Sequence, residues 1–298
     1  MLKVKLAGVK RKTKYSPNHI GNDGMIFNLT AQHLRDLGYE VKEYTEAEFV
    51  LGNIKEPVIF NMARDKATIA KLQELEKKGT VVINSGFGID NCTRSKMTRL
   101  LLENNIPHPK SIIIDTNQDP TEQLVAMNAK AFWIKRGDFH AIHREDVTFA
   151  RSIEEAADIL KEFGWRGIPN AVINEHLVGD LVKFYGVTNS NFFYKFYPFD
   201  LNHSKFGLEQ INGTARQLFF SREELKDACD KAGDVLNVKI YGGDCVVDED
   251  GSFKIIDFND WPSFAPCREK AAPKIAESIH KEIVAKLTNV NKNLQIEI

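Results

Sequence analysis

Asp244 lies in the run Gly242-Gly243-Asp244-Cys245-Val246, and Asp257-Phe258-Asn259 ends the next apolar run. Between them Asp248–Gly251 (DEDG) supplies a turn. Strand alternation places Asp257 and Asn259 on one face and turns Phe258 toward a core. Antiparallel pairing across the turn brings Asp244 opposite them. Three oxygen donors, with no His or Cys among them, suit a hard cation such as Mg2+. Lys135 ends the apolar tripeptide Trp133-Ile134-Lys135, a setting that aims its ammonium at a partner. Glu175, in a β-rich apolar stretch, likewise reads as a carboxylate with a task.

Other patterns carry less. Gly86-Phe87-Gly88 follows a strand, but Asn91 stands where a dinucleotide fingerprint needs its third glycine. His140 and His143 have i, i+3 spacing without a third ligand nearby and read as polar loop residues. Arg136-Gly137-Asp138 reads as a coincidental adhesion tripeptide. The sequons at Asn28, Asn91, Asn202 and Asn212 are expected to be inert in a chain read as lacking a secretion signal. No P-loop and no G-x-S-x-G elbow occurs. The four cysteines stand alone and read as reduced thiols.

The elements that must position these groups alternate from the start. Lys3–Val9 reads as a strand and Met25–Leu37 as a helix closed by Gly38. Strands follow at Tyr39–Tyr44 and Pro57–Asn61, then a helix at Lys66–Lys78 stopped by Gly79, then the strand Val81–Asn84. Such alternation implies a parallel sheet covered by helices. Next come a helix at Ser95–Asn104, strands at Ser111–Asp115, Phe132–Lys135 and Asp146–Ala150, and helices at Thr121–Lys130 and Ile153–Phe163, the last ended by Gly164. From Ala171 the β-branched and aromatic runs predict antiparallel ribbons. Helices at Arg222–Leu236 and Lys274–Leu287 accompany them, and Asn202–Gln217 reads as a long loop of the kind that is often functional.

A length of 298 residues fits about two domains on the usual prior. The 40 Lys and Arg nearly cancel the 41 Asp and Glu, so no global field holds a nucleic-acid backbone or an anionic membrane. Any anion must meet a local cluster. No apolar run approaches the ~20 residues of a membrane span, and MLKVKLAGVKRK lacks the apolar stretch of a signal peptide. The expected setting is cytoplasmic.

Several motifs then occur in a telling order. Asn84-Ser85, Cys92-Thr93-Arg94-Ser95-Lys96 and Asn105-Ile106-Pro107-His108-Pro109 are followed by Trp133-Ile134-Lys135. After these come Asn174-Glu175-His176-Leu177-Val178-Gly179-Asp180, Gly243-Asp244 and Asp257-Phe258-Asn259-Asp260-Trp261-Pro262. Over most of residues 80–265 the chain resembles the ATP-grasp superfamily, of the glutathione synthetase and ribosomal-protein-modification ligase type. The resemblance implies an α/β fold with a leading parallel α/β domain and two α+β lobes clasping ATP, divided as 1–90, 91–173 and 174–298. It implies that Lys96 and Lys135 hold phosphates. The hinge Glu175, His176 and Leu177 would read adenine, with Asp180 on the ribose, and Glu175 either accepts from the adenine amino group or holds a lysine. Asp244, Asp257 and Asn259 would hold Mg2+, with Mn2+ as a substitute. A glycine-rich lid is the family pattern after the second lysine; here that stretch is Arg136–His143, with one glycine and two histidines.

The activity implied is ligation of small-molecule carboxylates and amines through an acyl phosphate, by a monomer or homodimer. Lys183 is the candidate for the γ-phosphate or substrate anion, and Arg216 and Arg268 for the carboxylate or acyl phosphate. Arg11, Lys12, Lys14 and His19 are candidates on the first domain. The D-x-N ending and the basic cluster Lys10–Lys14 keep open an inositol-phosphate-kinase-like alternative. A third alternative is a nucleotide-binding module without turnover.

Overall fold

The computed structural model describes residues 4–15, 20–139, 144–198 and 214–296. His19, His140 and His143 lie outside the described residues, as does most of the expected loop Asn202–Gln217. The first sheet joins β1 (Lys5–Lys10), β2 (Glu40–Thr45), β3 (Val58–Asn61) and β4 (Val81–Ile83), all parallel, in the order β2-β1-β3-β4. All of β3 is buried, as expected of a parallel strand covered on both faces. The helices of this part are α1 (Ile20–Asp36), α2 (Glu46–Leu51), α3 (Lys66–Lys77) and α4 (Gly86–Asn91). Gly38 ends α1 as expected: it adopts φ +93°, and Gly38 and Tyr39 donate back to the Arg35 and Leu34 carbonyls. The short α2 was not expected from periodicity. Its signal is the capping box, in which Thr45 and Glu48 satisfy each other's backbone amides.

The second sheet is antiparallel: β5 (Ser111–Asp115), β6 (Phe132–Arg136), β7 (Val147–Ala150) and β8 (Asn170–Glu175), in the order β5-β8-β6-β7. Its helices are α6 (Thr121–Met127) and α7 (Ile153–Trp165), while α5 (Arg94–Glu103) buries Met97 and Leu101 in another cluster, with Val182 and Phe184. Phe132, Ile134 and Ile173 pack with Leu124, Leu160 and Phe163 in one buried cluster. That leaves Trp133 and Lys135 on the opposite face. α7 runs through Gly164 instead of stopping there; the left-handed residue is Gly167, at φ +74°. β8 belongs to this sheet and not to the later ribbons, so it runs across the expected division at residue 173.

The third sheet, also antiparallel, joins β9 (Asp180–Val187), β10 (Phe193–Phe196), β11 (Ile240–Val247) and β12 (Phe253–Asp260) in the order β10-β9-β11-β12. α8 (Arg222–Leu236) starts and ends as expected, capped by Ser221 and a left-handed Asn237. α9 (Arg268–Ile296) starts ahead of its expected first residue, Lys274, and runs through Pro273. It returns to the first sheet: Ile275, Ile279 and Ile283 share a buried cluster with Ile26 and Leu34 of α1, Phe60 of β3 and Tyr185 of β9. Among the described residues no helix is long and apolar enough to cross a membrane.

Candidate functional site

β11 and β12 pair with Asp244 opposite Asp257 and Gly242 opposite Asn259. The register then shifts between Asp244 and Cys245, leaving Ile256 as the extra residue of a β-bulge. Bulges re-aim the groups beside them. Here the Ile256 carbonyl turns toward the second sheet, where it accepts from Lys135 Nζ at 3.1 Å. Gly243 is required by close approach, because a Cβ there would run into the Asp257 carbonyl. Phe258 is fully buried, so Asp257 and Asn259 point away from the core.

The group has three cations close at hand. Lys183, directly across from Asp244 on β9, donates to both of its carboxylate oxygens at 3.0 and 3.2 Å. Arg94 Nη1 lies 3.5 Å from Asp257 Oδ1. Burial pushes the Asp257 carboxyl up, but the Arg94 and Lys135 charges and the Asn259 hydrogen bond outweigh it and hold the group below its ordinary range. Lys135 is 6% exposed. Burial, reinforced by Arg94, brings its ammonium down to about 7 against the pull of Asp257 and Asp244. Two carboxylates and an amide give an all-oxygen set that fits Mg2+. Among the described residues no three His, Cys, Asp or Glu form a metal set, so the amide of Asn259 is needed to complete one.

Arg94, and not Lys96, is the α5 residue brought to this place. Lys96 is exposed and bonds Asp90 at 2.5 Å. Arg94 is 7% exposed at the head of the helix, on the face of the buried Met97, Thr98 and Leu101. That i, i+3, i+4, i+7 spacing was present in the sequence and distinguishes the inward residue from the outward one.

The hinge divides its labour. Trp133 Nε1 donates to His176 Nδ1 at 3.1 Å, and the His176 ring meets Phe149 edge-on at 5.1 Å. Burial lowers the His176 pKa and favours the neutral acceptor this contact needs. The partly exposed Trp133 and Phe149, paired across β6 and β7, thus form an aromatic surface with Lys135 two residues along. Leu177 is partly exposed. Glu175 holds a lysine, accepting from Lys254 Nζ at 2.6 Å and from the Lys110 amide at 2.9 Å. Asp180 is buried and accepts from the Arg216 and Leu218 amides, both at 2.8 Å. Its carboxylate anchors the segment after residue 213, a use that competes with the expected ribose contact.

The expected arginines lie elsewhere. Arg216 makes an exposed ion pair with Glu249 at 2.6 Å. Arg268 opens α9 and donates to Asn22 of α1 at 2.5 Å. Arg11 is used internally, donating to Met62 O, Trp261 O and Asp23. Lys12 and Lys14 share Asp65 beside Tyr15, whose ring lies 5.9 Å from Phe139 just past β6. The Gly86–Gly88 pair packs α4: a Cβ at Gly88 would strike the Asn237 carbonyl.

No protein-family model matches the sequence, and no curated protein matches it. Solved structures do. The ATP-grasp ligase PsnB, complexed with a minimal precursor, superposes with TM-score 0.61 at 16% identity over 94% of this chain and 99% of that one. D-alanine–D-alanine ligase from Bacillus anthracis, complexed with ATP, gives TM-score 0.62 at 13% identity over 97% and 99%. D-alanyl-alanine synthetase A from Vibrio cholerae O1 biovar eltor str. N16961 gives 0.67 at 10% identity over 95% and 99%. The chain has the ATP-grasp fold: a leading parallel α/β unit followed by two α+β lobes.

Proposed function

We propose that the protein is an ATP- and Mg2+-dependent ligase that activates a small-molecule carboxylate as an acyl phosphate and passes the acyl group to an amine. One observation carries the reading: Arg94 and Lys135 from the second lobe converge on Asp244, Asp257 and Asn259 of the third. Cations gathered beside paired acids suit a triphosphate with its metal. The solved structures of the same fold include ligases bound to ATP, or to Mg and ADP, which supports the same chemistry here.

In this reading Trp133, Phe149 and His176 carry the adenine, and Arg94 and Lys135 hold phosphate oxygens through charge-assisted hydrogen bonds. Asp244, Asp257 and Asn259 would hold Mg2+, which would supply positive charge to offset that of the triphosphate. A substrate carboxylate oxygen attacks the γ-phosphorus and ADP leaves. The amine then adds to the acyl carbon, phosphate departs and the amine gives up a proton. Lys183, beside the metal acids, is the residue nearest to hand for the transferred group. The alternative, transfer to a hydroxyl of an anionic small molecule, draws on Lys12 and Lys14 at the Tyr15–Phe139 contact.

The test is an ADP-release screen of carboxylates crossed with amines, using γ-labelled ATP. A ligase releases ADP and labelled inorganic phosphate only when acid and amine are both present, or slowly with acid alone. Label retained on a stable hydroxyl product would replace the ligase by the kinase. ATP binding without ADP release across the panel would replace both by a binding module.

A further inference from the structure

β12 is the outer strand of its sheet, and its edge is met by the second lobe at three successive residues. Lys254 is held by Glu175. The Ile255 amide donates to the Pro107 carbonyl at 2.8 Å, and its own carbonyl accepts from His108 Nδ1 at 2.6 Å. The Ile256 carbonyl accepts from Lys135. The next residue is Asp257. This stretch needs outside support, because the bulge takes Ile256 out of the ladder to β11.

His108 is suited to the task. A carbonyl oxygen can only accept, so Nδ1 carries the proton. The ring is 8% exposed, and Nε2 is left without a hydrogen-bond partner among the described residues. Pro107 and Pro109 flank it, and their fixed φ presents the imidazole with little entropy left to lose. Burial and the Lys135 charge bring its pKa down to about 3, so the ring stays neutral in one tautomer. A charged ring there would compete with Arg94 and Lys135 for the same acids.

We propose that His108 is a positioning residue: by fixing the backbone of β12 just before Asp257, it sets that carboxylate for the cation. The inference rests on the metal reading above. It also makes the second lobe, which would carry the nucleotide, and the strand that carries the metal acids one unit at this point.

The test is Mn2+ binding, read by the loss of the free-ion paramagnetic resonance signal, in the presence of ADP. It is run on wild type, Asp257→Ala, His108→Leu, His108→Asn and His108→Gln. Asn places its amide donor near Nδ1, whereas Gln reaches the Nε2 position. His108→Leu should weaken Mn2+ binding about tenfold, the order expected for a lost buried hydrogen bond. His108→Asn should restore most of it and His108→Gln should not, while metal-free ADP affinity stays within about threefold in all three. Equal Mn2+ affinity in wild type and His108→Leu, with Asp257→Ala impaired, would overturn the inference and leave the metal reading standing. Failure of wild type to bind Mn2+ would overturn both. If His108→Leu does not fold, equal binding by the Asn and Gln variants overturns the inference.

Discussion

Lys135 sits where a small change of environment alters its charge. With its pKa brought down to about 7, the ammonium is partly neutral in neutral solution, and a bound polyphosphate favours the charged form. In the proposed site its contribution to nucleotide affinity should therefore be complete below about pH 7 and decline as pH rises above it. Calorimetry of metal-free ATP at pH 8, in buffers of different ionisation heat, should show uptake approaching one proton, about the value for a single coupled group. Lys135→Met should abolish the uptake. His108 gives the opposite kind of signal. Its folded pKa of about 3 lies below the unfolded value near 6.5, so between those limits the unfolded chain binds the extra proton. Stability should fall as pH drops through that window, by up to about 1.4 kcal/mol per unit from this residue. Urea denaturation from pH 7 to pH 4 would check it, and His108→Asn should flatten the slope.

At the scale of elements, the glycines of α4 are packing residues. Gly88→Ala should cost about 1–3 kcal/mol, because the new methyl meets the Asn237 carbonyl, which lies in the tight cap of α8. A thermal melt measures the loss; an unchanged midpoint would contradict the packing account. Most elements were legible in the sequence wherever a period and a stop coincided, as in α1 with Gly38 and α3 with Gly79. The facing of Asp244 and Asp257 was legible too, since alternation and a four-residue turn determine it. What was not legible came from contacts distant in sequence. β8 has the β-branched texture of the later ribbons, yet pairs with β5 and β6. The resemblance implies Asp180 on the ribose, but its two partners, the amides of residues 216 and 218, lie well beyond it in the chain. Arg94 is legible in principle through the buried face of α5, whereas the resemblance points to the lysine two residues on.

Across the whole molecule, β12, which carries Asp257 and Asn259, is where the three parts meet. The second lobe grips residues 254–256, and the first sheet grips the residues just after Asn259. Arg64 lies 2.5 Å from the buried Asp260 carboxylate and also donates to its carbonyl, while Arg11 donates to the Trp261 carbonyl. Burial lowers the Arg64 pKa and Asp260 opposes that, so the pair stands or falls together. Arg64→Leu should cost about 3–5 kcal/mol by leaving Asp260 uncompensated, visible in chemical denaturation. Arg94 and Lys135, beside the acids of β11 and β12, are proposed to form the ATP site. Calorimetric binding of a non-hydrolysable ATP analogue with Mg2+ tests this assignment most directly, in wild type and in Arg94→Ala, Lys135→Ala and Lys96→Ala. One site is expected, with losses of about 1–3 kcal/mol for Arg94→Ala and Lys135→Ala, and Lys96→Ala within about twofold of wild type. No binding by wild type, or wild-type affinity in Arg94→Ala with a loss in Lys96→Ala, would contradict the assignment.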